Sequence, residues 1–335
     1  MNTAFYSTKR YERPFFEARA VELGQSIRFL DAPASAATAP LARGCRAACV
    51  FVNDTLDAAA LRAMKDEGVE LLALRSAGFN HVDVTEAARL GITVARVPAY
   101  SPHAVAEHAV ALILTLNRHT HRAYNRVREH DFSIDGLMGF DVHRKTVVCI
   151  GTGKIGACFA RIMLGFGCKV LAVDPCPAQE LLQLGVEYVS LDDAAPRADI
   201  LALHCPLVAS TRHLINASVL ARLKPGAMLI NTSRGGLVDT VALIAALKQR
   251  RLGGVGLDVY EEEADLFFRD LSEEVIGDDV FARLLTFPNV LVTAHQAFFT
   301  REAIQGITDT TMENIIAFDR GGPAAIGSEN LVKLG

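Results

Sequence analysis

No uninterrupted apolar run in this chain reaches the roughly 18–20 residues that a bilayer span requires. The opening residues, MNTAFYSTKRYERPFFEAR, are charged from Lys9 onward and have no apolar signal-peptide core, so a cytoplasmic protein is expected. There is no CxxC pair. The seven cysteines are scattered, several of them in apolar segments, as Cys49, Cys149 and Cys205 are. That pattern points to buried reduced thiols and to no metal site. Positive charge is not in excess: the net charge is −4 and the pI is near 6.2, which argues against a nucleic-acid or anionic-membrane partner. No repeat occurs at a solenoid period. Disorder is excluded by a composition that is 50% hydrophobic and 21% charged, and 335 residues suffice for two ordinary domains.

What is present is organised around residues 145–174, KTVVCIGTGKIGACFARIMLGFGCKVLAVD. A β-branched apolar run at 146–150 reads as a buried parallel strand. Gly151-Thr-Gly153-Lys-Ile-Gly156 follows. Then Ile155, Phe159, Ile162, Met163 and Phe166 mark one helical face, and Gly165 and Gly167 end the helix. A second strand at 170–173 leads into Asp174. This is the order of a dinucleotide-binding βαβ unit. Gly151 permits the tight turn, Gly153 lets backbone approach a pyrophosphate, and Gly156 lets helix pack on strand. The helix N-terminus, at Lys154 and Ile155, presents free N–H groups to phosphate. Asp174 stands about 20 residues on, where an acid accepts from the ribose hydroxyls.

The rest of the chain alternates similarly. Before residue 100, strand-like segments lie at 3–7, 27–30, 47–52, 70–74 and 92–97. Helical ones lie at 13–23, 56–67 and 85–90. Residues 98–102 break the pattern, and 104–122 read as one long helix. Its apolar residues are too many for a single buried stripe. Further strands are expected at 187–189, 200–203, 228–231, 254–259 and 290–293, with helices between, as at 240–250. The tail at 300–320 is amphipathic and helical. Alternation of this kind means α/β architecture with parallel, doubly wound sheets.

Polar groups cluster at strand ends: His204-Cys-Pro-Leu, Asn231-Thr-Ser-Arg-Gly-Gly, Asp258-Val-Tyr-Glu-Glu-Glu263 and Thr293-Ala-His295-Gln. Arg234 can hold a carboxylate with two parallel hydrogen bonds. His295 is the natural acid/base, because histidine is the side chain whose ordinary pKa lies near working pH. An acid on its far ring nitrogen would fix the tautomer, but spacing does not choose among Glu261, Glu262 and Glu263. Histidines 81, 103, 108, 119, 121, 130, 143, 204 and 213 read as surface or packing groups.

These segments, with Arg75-Ser-Ala-Gly-Phe-Asn80, Val97-Pro-Ala-Tyr-Ser-Pro102 and Ala106-Glu-His108, resemble the D-isomer-specific 2-hydroxyacid dehydrogenases over nearly the whole chain, and most closely their D-lactate branch. The resemblance implies two doubly wound parallel-sheet domains. One is a Rossmann NAD-binding domain at 101–299. The other is a smaller flavodoxin-like substrate domain at 1–100 plus 300–335. It implies NAD as cofactor and a small 2-keto or 2-hydroxy acid, pyruvate foremost, as substrate. It implies Arg234 on the substrate carboxylate, Glu263 as partner of His295, and His295 as acid/base. Ser76, Ala77 and Gly78 would give N–H groups to the carboxylate, and Tyr100 would lie by the substrate, with Phe51 and Phe298 as candidate walls. Thr232, Ser233 and Asp258 would lie by the nicotinamide, and Cys205, Pro206 and Thr211 on the adenosine side. The resemblance implies a dimer contact on the helix at 104–122, and a homodimer or homotetramer is expected. Many relatives have Pro after the catalytic Glu; Ala264 and an insert through Asp279 fit the D-lactate branch instead. Non-catalytic NAD sensing is the competing reading, and the intact Arg234, Glu263 and His295 set argues against it. A formate dehydrogenase would carry Gln in place of Glu263.

Overall fold

In a computed structural model of the chain, residues 1–263 and 266–332 are described, and the alternating pattern becomes two parallel sheets. Ala264, the first residue of the expected insert, lies outside the described residues. The chain divides into two compact units. One comprises Met1–Ser101 with the segment from Phe299 onward, and the other comprises Pro102–Phe298.

The first unit has strands β1 (Asn2–Phe5), β2 (Ser26–Phe29), β3 (Ala47–Val50), β4 (Leu71–Leu74) and β5 (Thr93–Ala95), with helices α1 (Arg13–Glu22), α2 (Ala58–Asp66) and α3 (Val84–Arg89). The sheet order is β2-β1-β3-β4-β5, all parallel, which is the flavodoxin-like winding. Helix starts are set by side chains: Asp57 accepts from Ala60 N in α2 and Asp83 from Glu86 N in α3. The edge at β5 is covered by residues 330–332, where Arg96 N donates to Asn330 O and Val332 N to Val94 O.

The second unit opens with α4 (Pro102–Arg118) and α5 (Thr120–Arg128). Strands β6 (Thr146–Ile150), β7 (Lys169–Val173), β8 (Glu187–Tyr188), β9 (Ile200–Leu203), β10 (Ala227–Asn231), β11 (Leu252–Leu257) and β12 (Val290–Val292) follow. They alternate with α6 (Lys154–Gly165), α7 (Gln179–Gln183), α8 (Leu191–Ala194), α9 (Ala217–Arg222), α10 (Thr240–Lys248) and α11 (Asp279–Leu285). The order β12-β11-β10-β9-β6-β7-β8 is the Rossmann winding, and strand order reverses between β6 and β9. Val148, Ile150, Leu201 and Leu203 bury on one face of the sheet, and Val147, Cys149, Ile200 and Ala202 on the other. Such strands have no polar face, which is why they read as continuous apolar runs. The last helix, α12 (Arg301–Gly321), returns to the first unit and packs on α1 and β4.

The long helix expected at 104–122 is corrected. His119 adopts a left-handed backbone, φ 51°, and divides α4 from α5. A tertiary bond explains the break. Buried Asn117 donates from Nδ2 to Phe140 O (2.7 Å) and accepts from Phe140 N (2.8 Å), so the chain turns to meet residue 140. The dimer argument built on that helix also changes. Val105, Ala109, Val110, Leu112, Ile113 and Leu116 are buried within the protomer, against α6 and the sheet. At α6 it is Gly167, φ 76°, that stops the helix, while Gly165 is its last turn.

His204 follows β9 and packs on Phe159 with ring centroids 4.7 Å apart. Both ring nitrogens are covered and have no hydrogen-bond partner among the described residues. Burial pushes its pKa down to about 3. Between the ordinary value of about 6.5 and that value, the unfolded chain holds a proton the folded chain refuses, so stability falls as pH drops through this window. Thermal unfolding of the ligand-free chain is expected to lose less midpoint between pH 7 and 5 in His204→Leu than in the unmodified protein. Parallel pH profiles would contradict this.

Candidate active site

The chain turns after β6 at Gly151, φ 89°, where a Cβ would meet the Cys205 backbone nitrogen at 2.6 Å. A Cβ on Gly156 would overlap Gly151 O. These two glycines let the loop press on the end of β9 and the helix press on the loop. Gly153 differs: it is exposed, with nothing within 4 Å of a Cβ position. Helix α6 carries no side-chain N-cap bond, whereas Asp57, Asp83, Asn216, Asp239, Asp278 and Thr300 cap theirs. Its first N–H groups, around half-buried Ile155 and exposed Lys154, are left for an external anion.

Asp174 reaches this loop directly. It accepts from Thr152 N (2.6 Å) and Cys176 N (2.8 Å). A carboxylate has about four lone-pair positions, so the ribose hydroxyls still find acceptors. Uncapped helix, open glycine and adjacent acid fit a dinucleotide. Glu180 is paired with Arg161 at 2.6 Å.

Next to the loop, Cys205 O accepts from Ser233 Oγ (2.7 Å). Thr211 Oγ1 donates to Pro206 O (2.7 Å) and accepts from Val208 N (2.8 Å), closing the 206–211 turn. Burial pushes the Cys205 thiol up to about 11, so it is no nucleophile at neutral pH. Thr232 Oγ1 is buried with no hydrogen-bond partner among the described residues. Arg234 extends from the end of β10. Asn231 shapes its turn, donating from Nδ2 to Arg234 O and accepting from Ser233 N. The guanidinium donates to Ser233 O (2.7 Å). Among the described residues no carboxylate lies within ion-pair distance of it. Gly235 packs where a Cβ would overlap the Tyr260 carbonyl, so the turn sits directly on the segment leading to Glu263.

The structure settles which acid meets His295. Glu263 Oε1 is 2.8 Å from His295 Nδ1, and Glu263 Oε2 accepts from Tyr260 N (3.0 Å). Glu261 instead takes His213 Nε2 (2.5 Å) and Thr240 Oγ1 (3.2 Å), and Glu262 is exposed. With Nδ1–H directed at the carboxylate, His295 has Nε2 left for chemistry. His295 lies in the left-handed region, φ 53°, and the Phe268 ring lies 5.7 Å from its imidazole.

Asp258, the residue expected by the nicotinamide, has no exposed surface. Its carboxylate instead accepts from Thr293 Oγ1 (2.6 Å), Gln296 N (2.8 Å) and Ala297 N (2.8 Å), while its carbonyl accepts from His295 N (2.7 Å). It anchors the loop that carries His295. Phe298, half-buried, follows that loop.

In the first unit, Arg75 ends β4 fully buried. It pairs with Glu12 through Nε (3.1 Å) and Nη2 (3.0 Å) and lies over the Phe5 ring at 4.1 Å. Removing one partner of such a pair costs about 3–5 kcal/mol, so this arginine is structural. The next three residues form the expected loop. Ser76 Oγ donates to Gly78 O (2.7 Å), and Arg96 Nη1 donates to Ala77 O (3.0 Å). Among the described residues the N–H groups of Ala77 and Gly78 have no acceptor. Phe51 is only 5% exposed, with Lys9 over its ring and Arg75 beside it. Tyr100 lies against Gly306 of α12 through its backbone.

The model of the D-isomer specific 2-hydroxyacid dehydrogenase NAD binding domain matches residues 110–297. The chain is 48% identical to D-lactate dehydrogenase of Escherichia coli K12 over 321 residues, 96% of this chain and 98% of that protein. The chain belongs to the D-isomer-specific 2-hydroxyacid dehydrogenases. It is an NAD-dependent oxidoreductase close to the D-lactate dehydrogenases. A pyruvate reductase of Chlamydomonas reinhardtii superposes with a TM-score of 0.93 at 45% identity, covering 98% of both chains. D-Lactate dehydrogenase of Aquifex aeolicus, solved with NAD and lactic acid, superposes at 0.86 with 34% identity over 99% of both.

Sequence reasoning missed His108, whose Nε2 lies 3.0 Å from Thr293 Oγ1. The available signal was its place between Ala104 and Leu112, buried one turn on either side: a polar residue on an apolar stripe. It also missed Phe268, for which no periodic signal exists.

Asp174 generates a test of cofactor choice. The 2′-phosphate of NADPH would meet its charge at short range, and residues 175–182 supply no cation. kcat/KM for NADH is expected to exceed that for NADPH by roughly 10²-fold or more. Asp174→Ala should narrow the gap. Equal use of both cofactors by the unmodified protein would show that Asp174 does not meet the ribose.

Proposed function

We propose that this enzyme reduces pyruvate, or a similarly small 2-keto acid, to the D-2-hydroxyacid, D-lactate in the first case. The observation that carries the reading is the 2.8 Å bond from His295 Nδ1 to Glu263. It fixes one ring nitrogen and frees the other to move a proton to and from the substrate oxygen. When bound, NADH supplies the hydride. His295 Nε2–H then donates its proton to the keto oxygen, and in the reverse direction Nε2 is the base. Glu263 holds the ring orientation and tautomer that this needs.

Arg234 binds the substrate carboxylate in this reading. A guanidinium with no acidic partner among the described residues is matched to a bidentate anion. The free N–H groups of Ala77 and Gly78 are acceptor-seeking donors suited to the same chemical group. The N–H groups at the start of α6 and the carboxylate of Asp174 hold the dinucleotide, beside the 205–211 turn and residues 232–233. The names of the relatives, D-lactate dehydrogenases and a pyruvate reductase, support pyruvate as the keto acid.

Arg234→Lys is expected to lower kcat/KM for pyruvate roughly 10²-fold or more, since a two-point charged pair becomes a single one. NADH affinity should barely move. Near-normal kcat/KM would place the carboxylate elsewhere. Glu263→Gln keeps an acceptor for Nδ1–H but removes the charge, so a loss of about tenfold is expected, against about 10²–10⁴-fold for His295→Gln. Equal losses in both would mean that Glu263 does more than support the ring.

We further infer that the enzyme is at least a dimer, assembled through α5 and the segment after it. Helix α5 has no buried residue. Tyr124, Val127, Phe132, Ile134 and Met138 are all exposed, Met138 to 91%. Large apolar side chains grouped in this way mark interaction surfaces. Light scattering at micromolar concentration should give a dimer or larger, and Phe132→Asp with Met138→Asp should shift the mass toward the monomer. A monomeric unmodified protein would contradict this.

A further inference from the structure

The loop carrying His295 is held from behind by a chain of hydrogen bonds that ends on a helix. His108 lies in the second turn of α4, which packs against β10, β11 and β12. Its Nε2 is 3.0 Å from Thr293 Oγ1, and Thr293 Oγ1 is 2.6 Å from Asp258 Oδ1. An ionised carboxylate only accepts, so the Thr293 hydroxyl spends its single proton on Asp258. The Thr293 oxygen is then an acceptor, and His108 must be the donor. That assigns the Nε2–H tautomer to His108.

Burial holds the His108 pKa below the ordinary histidine value, and the Asp258 charge opposes that shift. The ring is therefore neutral at neutral pH, and its 3.5 Å approach to Asp258 is not an ion pair. The same Asp258 carboxylate accepts from Gln296 N and Ala297 N, and Asp258 O accepts from His295 N. His295 itself sits at φ 53°, a backbone region unfavourable for any residue with a Cβ. The loop does not take this shape by local preference. It is imposed by Asp258, and Thr293 and His108 fix how the Oδ1 side of Asp258 is used.

We propose that His108 is a positioning residue of the reaction: through Thr293 and Asp258 it holds the 293–297 loop in the arrangement that sets His295 Nδ1 on Glu263. The role acts on the proton-transfer step rather than on binding, because it governs where the His295 ring points. The inference rests on the reading of His295 as the proton donor.

The test is steady-state kinetics of the full-length enzyme with NADH and pyruvate. The variants are His108→Leu, His108→Gln, Thr293→Val, the double variant His108→Leu with Thr293→Val, and His295→Gln. Active-site concentration is normalised by NADH titration, so a loss of folded protein drops out of kcat. His108→Leu is expected to lower kcat about fivefold to tenfold while KM for pyruvate and NADH stays within about twofold. Thr293→Val should lose at least as much, and the double variant no more than Thr293→Val alone, since the two groups act in series. His108→Gln, whose amide N–H can serve the same oxygen, should recover most of the loss. If His108→Leu turns over normally while His295→Gln is inactive, the inference falls and the proton-donor reading stands. Losses that add in the double variant, or a change confined to KM, also overturn it. An active His295→Gln removes the proton-donor reading and this inference with it.

Discussion

A buried carboxylate organises this active site. Asp258 has no exposed surface, and ionising it there without partners would cost several kcal/mol or more. It has partners: a hydroxyl and two backbone N–H groups on its oxygens, with a third N–H on its carbonyl. Hydrogen bonds to a charged group contribute about 1.5–3 kcal/mol each. The left-handed backbone they impose at His295 costs about 1–2 kcal/mol. The bonds win, and the histidine is held in a conformation the chain would not choose. Its ring then finds Glu263, whose second oxygen is already taken by Tyr260 N. The sequence of causes runs from β11, which delivers Asp258, to the loop, to the ring, to the nitrogen left free for the proposed proton transfer.

Two arginines at strand ends show how context divides one residue type into two tasks. Arg75 is buried against Glu12, carbonyl oxygens and an aromatic face, and every part of its fork is used. Arg234 has one backbone partner and no acid among the described residues. The first builds the turn that presents the Ala77 and Gly78 N–H groups, and the second remains a cation in search of an anion. A similar division separates Glu261, occupied by His213 and Thr240, from Glu263.

The β6–α6–β7 unit was legible in the sequence because local chemistry decides it. Apolar period, three glycines and a terminal acid agree, and no distant residue is needed. Parallel, doubly wound sheets followed from alternation of strand and helix, and the two particular windings from the family resemblance. What escaped was set by contacts far along the chain. Residues 104–122 carry no glycine or proline, so nothing local announces the turn at His119; the Asn117–Phe140 bonds impose it. An Asp after a strand reads as a group facing a ligand, and the returning 293–297 loop takes up the Asp258 carboxylate instead. Glu263 was indistinguishable from its neighbours until the fold chose. His108 looked like one more packing histidine because its partners are contributed by residues 258 and 293.

The proposed reaction needs the His295 nitrogen that Glu263 leaves open and the Arg234 guanidinium, which has no acidic partner among the described residues, to serve a small 2-keto acid. Its most direct test is the rate of NADH oxidation by the purified enzyme over a panel of 2-keto acids of increasing side-chain size, with the configuration of each product determined. Pyruvate should give the highest kcat/KM among the series and yield D-lactate. L-Lactate as product, or no oxidation with any 2-keto acid, would contradict it.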